Sequence, residues 1–210
     1  MNTASGQLFQ DAFDTLPLMA ILRGFDVART MEVSRRAWDV GIRLVEVPIQ
    51  SKTAEAALRA AVEAGEERGA VVGAGTVTTV ERVERAVEAG ARFTVAPGFS
   101  RDVAEASLAA GLPHLPGVAT ASEIQQAEAL GLTWLKAFPA ADLGPSWITS
   151  MHGPFPEARF VATGGVNLAN AVEFLDAGAA AVSLGSALAD PDQFARLPEL
   201  IEAITGKVER

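Results

Sequence analysis

Residues 44–73 read LVEVPIQSKTAEAALRAAVEAGEERGAVVG, and the fold follows from how this stretch is parsed. Leu44–Pro48 is a short apolar run broken only by Glu46, and Ala70–Gly73 is another. Between them Thr53–Arg68 is Ala-rich and amphipathic, the pattern of a helix with one buried face. A short strand, a helix and a second strand make one βαβ unit, whose strands run parallel because the helix returns the chain to its starting edge. Parallel strands are covered on both faces, so they read as continuous apolar runs rather than alternating ones.

The same beat extends in both directions. Further apolar runs are Leu18–Leu22, Phe93–Ala96, His114–Pro116, Thr133–Ala137, Arg159–Ala162 and Ala180–Leu184, and successive starts lie roughly 20 to 27 residues apart. Helix-like stretches fill the gaps, among them Thr79–Ala89, Arg101–Ala110 and Leu168–Ala177. Several helical stretches end in a residue followed by glycine: Val40-Gly41, Ala64-Gly65, Ala89-Gly90, Ala110-Gly111, Leu130-Gly131 and Ala177-Gly178. Glycine tolerates the left-handed conformation that closes a helix and turns the chain toward the next strand. Eight such beats without a dinucleotide fingerprint predict an α/β fold, a single (β/α)8 TIM barrel, over an open doubly wound sheet. With no linker or low-complexity stretch, residues 1–210 read as one domain. Within residues 1–15, Ser5–Phe13 reads as an extra N-terminal helix that plugs the lower end of the barrel.

Composition bounds the function. At 210 residues the chain is long enough for one sizeable core. A formal net charge of −9 leaves no basic stripe for phosphates, so no nucleic-acid partner is expected, and an anionic ligand must be held by local geometry. The absence of cysteine excludes disulfides, thiolate chemistry and Cys-ligated metals. Met1–Asp14 has neither a basic start nor an unbroken apolar segment, and no apolar run approaches a membrane span. The expectation is a cytoplasmic enzyme with no membrane partner.

In this architecture active sites form at the C-terminal ends of the strands. Those ends carry Arg23-Gly24, Glu46, Gly75-Thr76, Pro97-Gly98, Pro116-Gly117, Lys136, Thr163-Gly164-Gly165 and Gly185-Ser186. Lys136 stands among Trp134, Leu135 and Phe138, an apolar setting for a residue that is almost never fully buried without a partner or a role. Burial disfavours an ammonium, and that is how a lysine becomes a nucleophile toward carbonyls. The competing reading is a strand-end lysine whose stem packs while its head reaches solvent. Glu46 is expected to point into the barrel mouth as a proton shuttle, or else to form a structural ion pair with Lys136 or Arg23. Gly164, Gly165, Gly185 and Ser186 follow the last two apolar runs, where exposed amides of this barrel class hold phosphate. The only histidines, His114 and His152, are too few for a His-rich metal site. His114 is expected to be packed or solvated, and His152 exposed in the 150–156 segment. Trp38, Trp134 and Trp147 are read as packing residues.

These residues together resemble the class I aldolases that cleave 2-keto-3-deoxy-6-phosphogluconate or its galactonate epimer. The resemblance is carried by Pro17–Gly24, Val45–Pro48, Val72–Val77, Pro116–Thr120, Leu135–Ala140 and Ala162–Val166, and it runs from about residue 16 to 206. It implies an imine between Lys136 and the substrate C2 carbonyl, with Glu46 moving protons. Arg23, Thr76, Pro97 and Thr163 are then substrate-positioning candidates, and Gly164, Gly165, Gly185 and Ser186 hold the 6-phosphate. It further implies a homotrimer, no cofactor and no metal. Pro48-Ile49-Gln50-Ser51 departs from the Leu-Arg-Thr of the gluconate branch, while Arg23-Gly24 and Phe138–Pro145 lie closer to the galactonate branch. Two rivals keep the barrel: an isomerase or epimerase using Glu46 as base without a covalent intermediate, and a binding protein that has lost catalysis. A metal-dependent aldolase is disfavoured by histidines that do not fall together on the rim.

Overall fold

The computed structural model describes residues 4–208, and Met1–Thr3, Glu209 and Arg210 lie outside the described residues. The strands are β1 (Leu18–Ile21), β2 (Leu44–Pro48), β3 (Val71–Gly75), β4 (Thr94–Val95), β5 (His114–Leu115), β6 (Gly117–Val118), β7 (Trp134–Ala137), β8 (Arg159–Ala162) and β9 (Ala181–Leu184). The helices are α1 (Ala4–Thr15), α2 (Val27–Asp39), α3 (Lys52–Glu66), α4 (Val80–Glu88), α5 (Arg101–Ala109), α6 (Ala121–Glu128), α7 (Ala140–Leu143), α8 (Pro145–His152), α9 (Ala171–Asp176), α10 (Ser186–Ala189), α11 (Pro191–Ala195) and α12 (Leu197–Val208).

All ladders are parallel, in the order β5-β4-β3-β2-β1-β9-β8-β7-β6. The nine strands make an eight-stranded barrel because β5 and β6 are two halves of one strand, divided at Pro116. The lower half pairs with β4 and the upper half with β7. Pro116 has no N–H to continue the first ladder, but its carbonyl accepts from Lys136 N at 2.8 Å. The sequence run ending at Pro116 therefore stopped short of Gly117–Val118. Gly117 is required there: a Cβ would lie 2.2 Å from the Pro97 carbonyl carbon and oxygen.

Helix starts are set by the residues just after each loop. Asp26, Ser51, Thr79 and Thr120 each accept an amide hydrogen bond from the residue three positions on, so α2, α3, α4 and α6 begin at fixed points beyond the strand ends. Five of the six expected closing glycines (Gly41, Gly90, Gly111, Gly131 and Gly178) have positive φ. Gly65 does not. It lies inside α3 against Val72, and Gly69 at φ 62° makes the turn. The expected helix over 168–177 starts late, at Ala171, because Asn167 and Asn170 fold the preceding residues into side-chain-capped turns.

The expected N-terminal helix exists as α1 and closes the lower end. Phe9 stacks edge-on against Phe93 at 5.6 Å and lies 6.0 Å from Trp134, while Phe13 lies 5.2 Å from Trp134. These rings join Met19, Leu44, Leu115 and Val161 in an inner cluster separate from the larger one between barrel and helices. Gly73 makes room for this packing, since a Cβ there would sit 2.5 Å from the Phe93 ring. These rings close the floor, and the cavity large enough for a ligand opens at the opposite end.

Candidate active site

Glu46 and Lys136 are on β2 and β7, with three strands between them in the ladder order. They stand on opposite walls and meet across the interior, with Lys136 Nζ 3.5 Å from Glu46 Oε2 and side-chain exposures of 3% and 0%. Register fixes each: Glu46 pairs with Ile21 and Gly73, and Lys136 with Gly117 and Val161. The ammonium also lies 5.3 Å from the Phe138 ring centroid. Among the described residues neither Glu46 oxygen has a hydrogen-bond partner, so the carboxylate is compensated by the lysine charge rather than by donors. An ion pair removed from water with no further hydrogen bonds is costly, and is weak as a stabilising device. What it offers is a carboxylate within proton-transfer range of an amine.

Above the pair opens a cavity of about 880 Å³, of the size that takes a small-molecule ligand. It is lined by Lys136 and by Arg23, Thr76, Pro97, Thr163, Gly164, Gly165, Gly185 and Ser186, so these sequence candidates come together on one surface. Glu46 is the exception. It does not line the cavity: its side chain leans from the level of Gly73 toward Gly75, one strand-repeat nearer the rim, and is fully buried there beside Lys136. Of the two sequence readings of Lys136, the solvent-reaching head is ruled out by its burial.

The walls differ in chemistry. On one side Arg23 Nη1 donates to Gln50 Oε1 at 2.9 Å and to Thr76 Oγ1 at 3.4 Å. Thr76 has φ 57°, the only positive value among the described non-glycine residues, and a β-branched residue is strained there. Arg82 Nη1 donates to Thr76 O and Thr78 Oγ1, both at 2.8 Å, holding the turn from behind. On the facing side Thr163 Oγ1 donates to Ser183 Oγ at 3.0 Å, and both line the cavity. Next to them Gly164 and Gly165 adopt φ 93° and 73°, where a Cβ would meet Phe138 at 3.0 Å and Ala141 at 2.4 Å. Asn170 Nδ2 donates to Gly165 O at 3.1 Å and fixes this turn. Ser183, Asn167 and Asn170 were not singled out from the sequence, and Gln50 entered only within the Pro48–Ser51 stretch that departs from the gluconate branch, with no site role given to it.

The histidines are elsewhere. His114 is buried at the lower end, where Nδ1 lies 2.8 Å from Thr94 Oγ1, which donates in turn to Ser107 Oγ at 2.9 Å. Burial pushes its pKa down to about 4. The expected exposure of His152 is corrected: it ends α8 half-buried, 5.2 Å from the Phe160 ring, with Nε2 3.0 Å from Gly178 O. Packing on an aromatic ring and a turn carbonyl outweighs hydration there. Trp134 and Trp147 pack as expected, Trp147 Nε1 donating to Ala119 O at 3.1 Å. Among the described residues no three His, Asp or Glu side chains cluster as metal ligands would. No helix among them is long and apolar enough to cross a membrane.

A parallel closed barrel with a buried lysine–carboxylate pair at the base of a polar-rimmed cavity has the groups that covalent chemistry on a carbonyl compound would use. Residues 10–200 match the aldolase family described as KDPG and KHG aldolase, and the chain belongs to that family. It is therefore a class I aldolase, a carbon–carbon lyase, of the KDPG/KDPGal type. It is 33% identical over 184 residues to a 2-dehydro-3-deoxy-phosphogluconate aldolase of Pseudoalteromonas atlantica, covering 87% of this chain and 85% of that protein. It is 35% identical over 176 residues to a probable 2-dehydro-3-deoxy-6-phosphogalactonate aldolase of Rhizobium meliloti, covering 83% and 82%. Among solved structures it is similar to the KDPG aldolase of Legionella pneumophila holding pyruvate as a covalent carbinolamine intermediate. That likeness has a TM-score of 0.81 at 28% identity, and covers 97% of this chain and 99% of that one.

Proposed function

We propose that the chain cleaves 2-dehydro-3-deoxy-6-phosphogalactonate to pyruvate and D-glyceraldehyde 3-phosphate through a Schiff base on Lys136. The observation that carries this reading is the buried Nζ of Lys136, 3.5 Å from Glu46 Oε2 at the base of the cavity. The neutral amine attacks C2 and water leaves, giving a protonated imine. Loss of the C4 hydroxyl proton breaks the C3–C4 bond, its electrons pass into the imine, and the aldehyde departs from an enamine. Glu46 carries protons in carbinolamine formation, at the C4 hydroxyl and to C3 of the enamine. Hydrolysis then frees pyruvate. Arg23, Thr76, Pro97 and Thr163 position the keto acid. The amides of Gly164, Gly165, Gly185 and Ser186 receive the phosphate, and this suits a chain whose net charge of −9 supplies no general attraction for anions.

The gluconate epimer, alone or alongside, is the second reading, because the relatives carry both names. The epimers differ only at C4, and a pocket discriminates such a pair only by leaving a buried polar group unpaired with the wrong one. In keeping with the resemblance, we read the protein as a single-domain cytoplasmic homotrimer needing no cofactor. Borohydride reduction in the presence of pyruvate, followed by peptide mass spectrometry, tests the chemistry. A reduced pyruvyl adduct on Lys136, absent from Lys136→Ala, is expected. Its absence from folded wild-type protein would sink the Schiff-base reading and move the non-covalent isomerase to first place. Cleavage rates with the two epimers then decide the substrate.

A further inference from the structure

The wall carrying Gly185 and Ser186 is a thin piece of the molecule. After β9 the chain makes one turn, α10, and passes through Asp190 into the short α11. A single helical turn is marginal on its own, so its position is set by what grips it. Two of its own residues, Ala187 and Leu188, are buried, and Asp190 Oδ1 accepts from the Asp192 and Gln193 amides to start α11. A further grip, and the one made on α10 itself, comes from across the cavity rim. Arg29 Nη2 donates to Ala189 O at 2.6 Å, at the end of α10 where helix carbonyls lack partners and favour a cation.

Arg29 is itself well fixed. Its amide donates to the Asp26 cap at 2.8 Å, its Nη1 lies 2.7 Å from Glu32 Oε2, and its guanidinium stands 6.0 Å from the Phe25 ring centroid. Phe25 lines the cavity on the β1–α2 side, and Ala189 and Asp190 line it on the β9 side, whereas Arg29 does not line it. Arg29 thus ties two walls of the cavity together from outside it, and Arg36 of α2, whose guanidinium lies 3.9 Å from the Phe194 ring centroid, adds a second link to α11 further along the chain.

We propose that Arg29 is a positioning residue for the phosphate end of the substrate: by clamping Ala189 it holds the Gly185 and Ser186 amides at a fixed distance from Lys136. The proposal rests on the phosphate reading given above. It places the residue's effect on recognition of the phosphorylated aldehyde, not on imine chemistry. The test is condensation of pyruvate with D-glyceraldehyde 3-phosphate and with unphosphorylated D-glyceraldehyde, for wild type, Arg29→Ala and Arg29→Lys. With α10 no longer held, the Gly185 and Ser186 amides are expected to drift from the phosphate, and KM for the phosphorylated aldehyde to rise about tenfold in Arg29→Ala. Its kcat, its KM for D-glyceraldehyde and its rate of pyruvate trapping on Lys136 stay within about twofold of wild type. Arg29→Lys, which keeps a donor and a charge, recovers most of the loss.

An unchanged KM for the phosphorylated aldehyde in Arg29→Ala overturns the proposal, and so does an equal rise for both aldehydes, the mark of a merely structural role. Failure of the underlying reading is seen in wild type alone, as no preference for the phosphorylated aldehyde or no pyruvate adduct, and either result removes the proposal with it.

Discussion

Gly75 and Glu46 are sterically coupled: a Cβ on Gly75 would lie 2.1 Å from Glu46 Oε1 and 2.6 Å from its Cγ. The carboxylate therefore reaches Lys136 only because β3 presents a bare backbone beside it. Gly75→Ala should push Glu46 out of line without removing any reacting group. The expected result is a fall in kcat of about 10²-fold, the usual contribution of a positioned proton carrier, with a folded protein that still forms a borohydride-trappable adduct more slowly. Wild-type kcat in Gly75→Ala would show that Glu46 is not needed in its observed position.

The buried pair makes a stability prediction independent of activity. Lys136→Ala leaves the Glu46 carboxylate buried with neither a countercharge nor a hydrogen bond. Denaturant unfolding at neutral pH should show a loss of about 3–5 kcal/mol. Adding Glu46→Gln to Lys136→Ala removes the stranded charge and should recover part of that loss. Purely additive losses would mean that the two groups do not interact.

Thr76 holds a left-handed backbone at φ 57°, a conformation that costs a residue of its type about 1–3 kcal/mol. Thr76→Gly relieves that strain while raising the entropy of the unfolded chain, so stability should stay within about 1 kcal/mol of wild type. Activity should fall, because the hydroxyl that Arg23 contacts is gone. A clear loss of stability with retained turnover would place Thr76 in the scaffold instead of the site.

His114 sets an acid limit. Its pKa is lowered by burial from 6.5 to about 4, so between these values the unfolded chain binds a proton that the folded one does not. Stability contributed by keeping His114 neutral is full above about pH 6.5 and declines as pH falls toward 4, by up to about 3 kcal/mol. Unfolding curves at pH 4.5 and 7 should differ less in His114→Gln than in wild type. An identical pH dependence in the two proteins would assign the acid sensitivity to other groups.

The repeating pattern made the barrel legible because burial on both faces forces each strand to be apolar and each crossover helix to be amphipathic. The break at Pro116 was not legible in the same way. Its meaning depends on two different neighbours, β4 below and β7 above, and no local pattern encodes a strand shared between ladders. The late start of α9 was missed for a related reason, since Leu168 continues the apolar period while Asn167 and Asn170 cap the backbone into turns. For the site, residue type and strand-end position sufficed to choose Lys136, Glu46 and the glycine turns. They did not reveal that Glu46 is fully buried against Gly75 and leaves the cavity lining to Lys136.

The sequence by itself determined the strand–helix alternation, the position of each candidate at a strand end and the lack of any general attraction for anions. These depend on periodicity, residue type and net charge, all of which are local or additive. Only the tertiary structure decided that residues 46 and 136 face each other at 3.5 Å, that Gly75 gives the carboxylate its room, and that Arg29 spans to Ala189. Each of these is a contact between segments far apart in the chain, and its geometry is fixed by the closure and stagger of the barrel, which no short stretch of residues specifies.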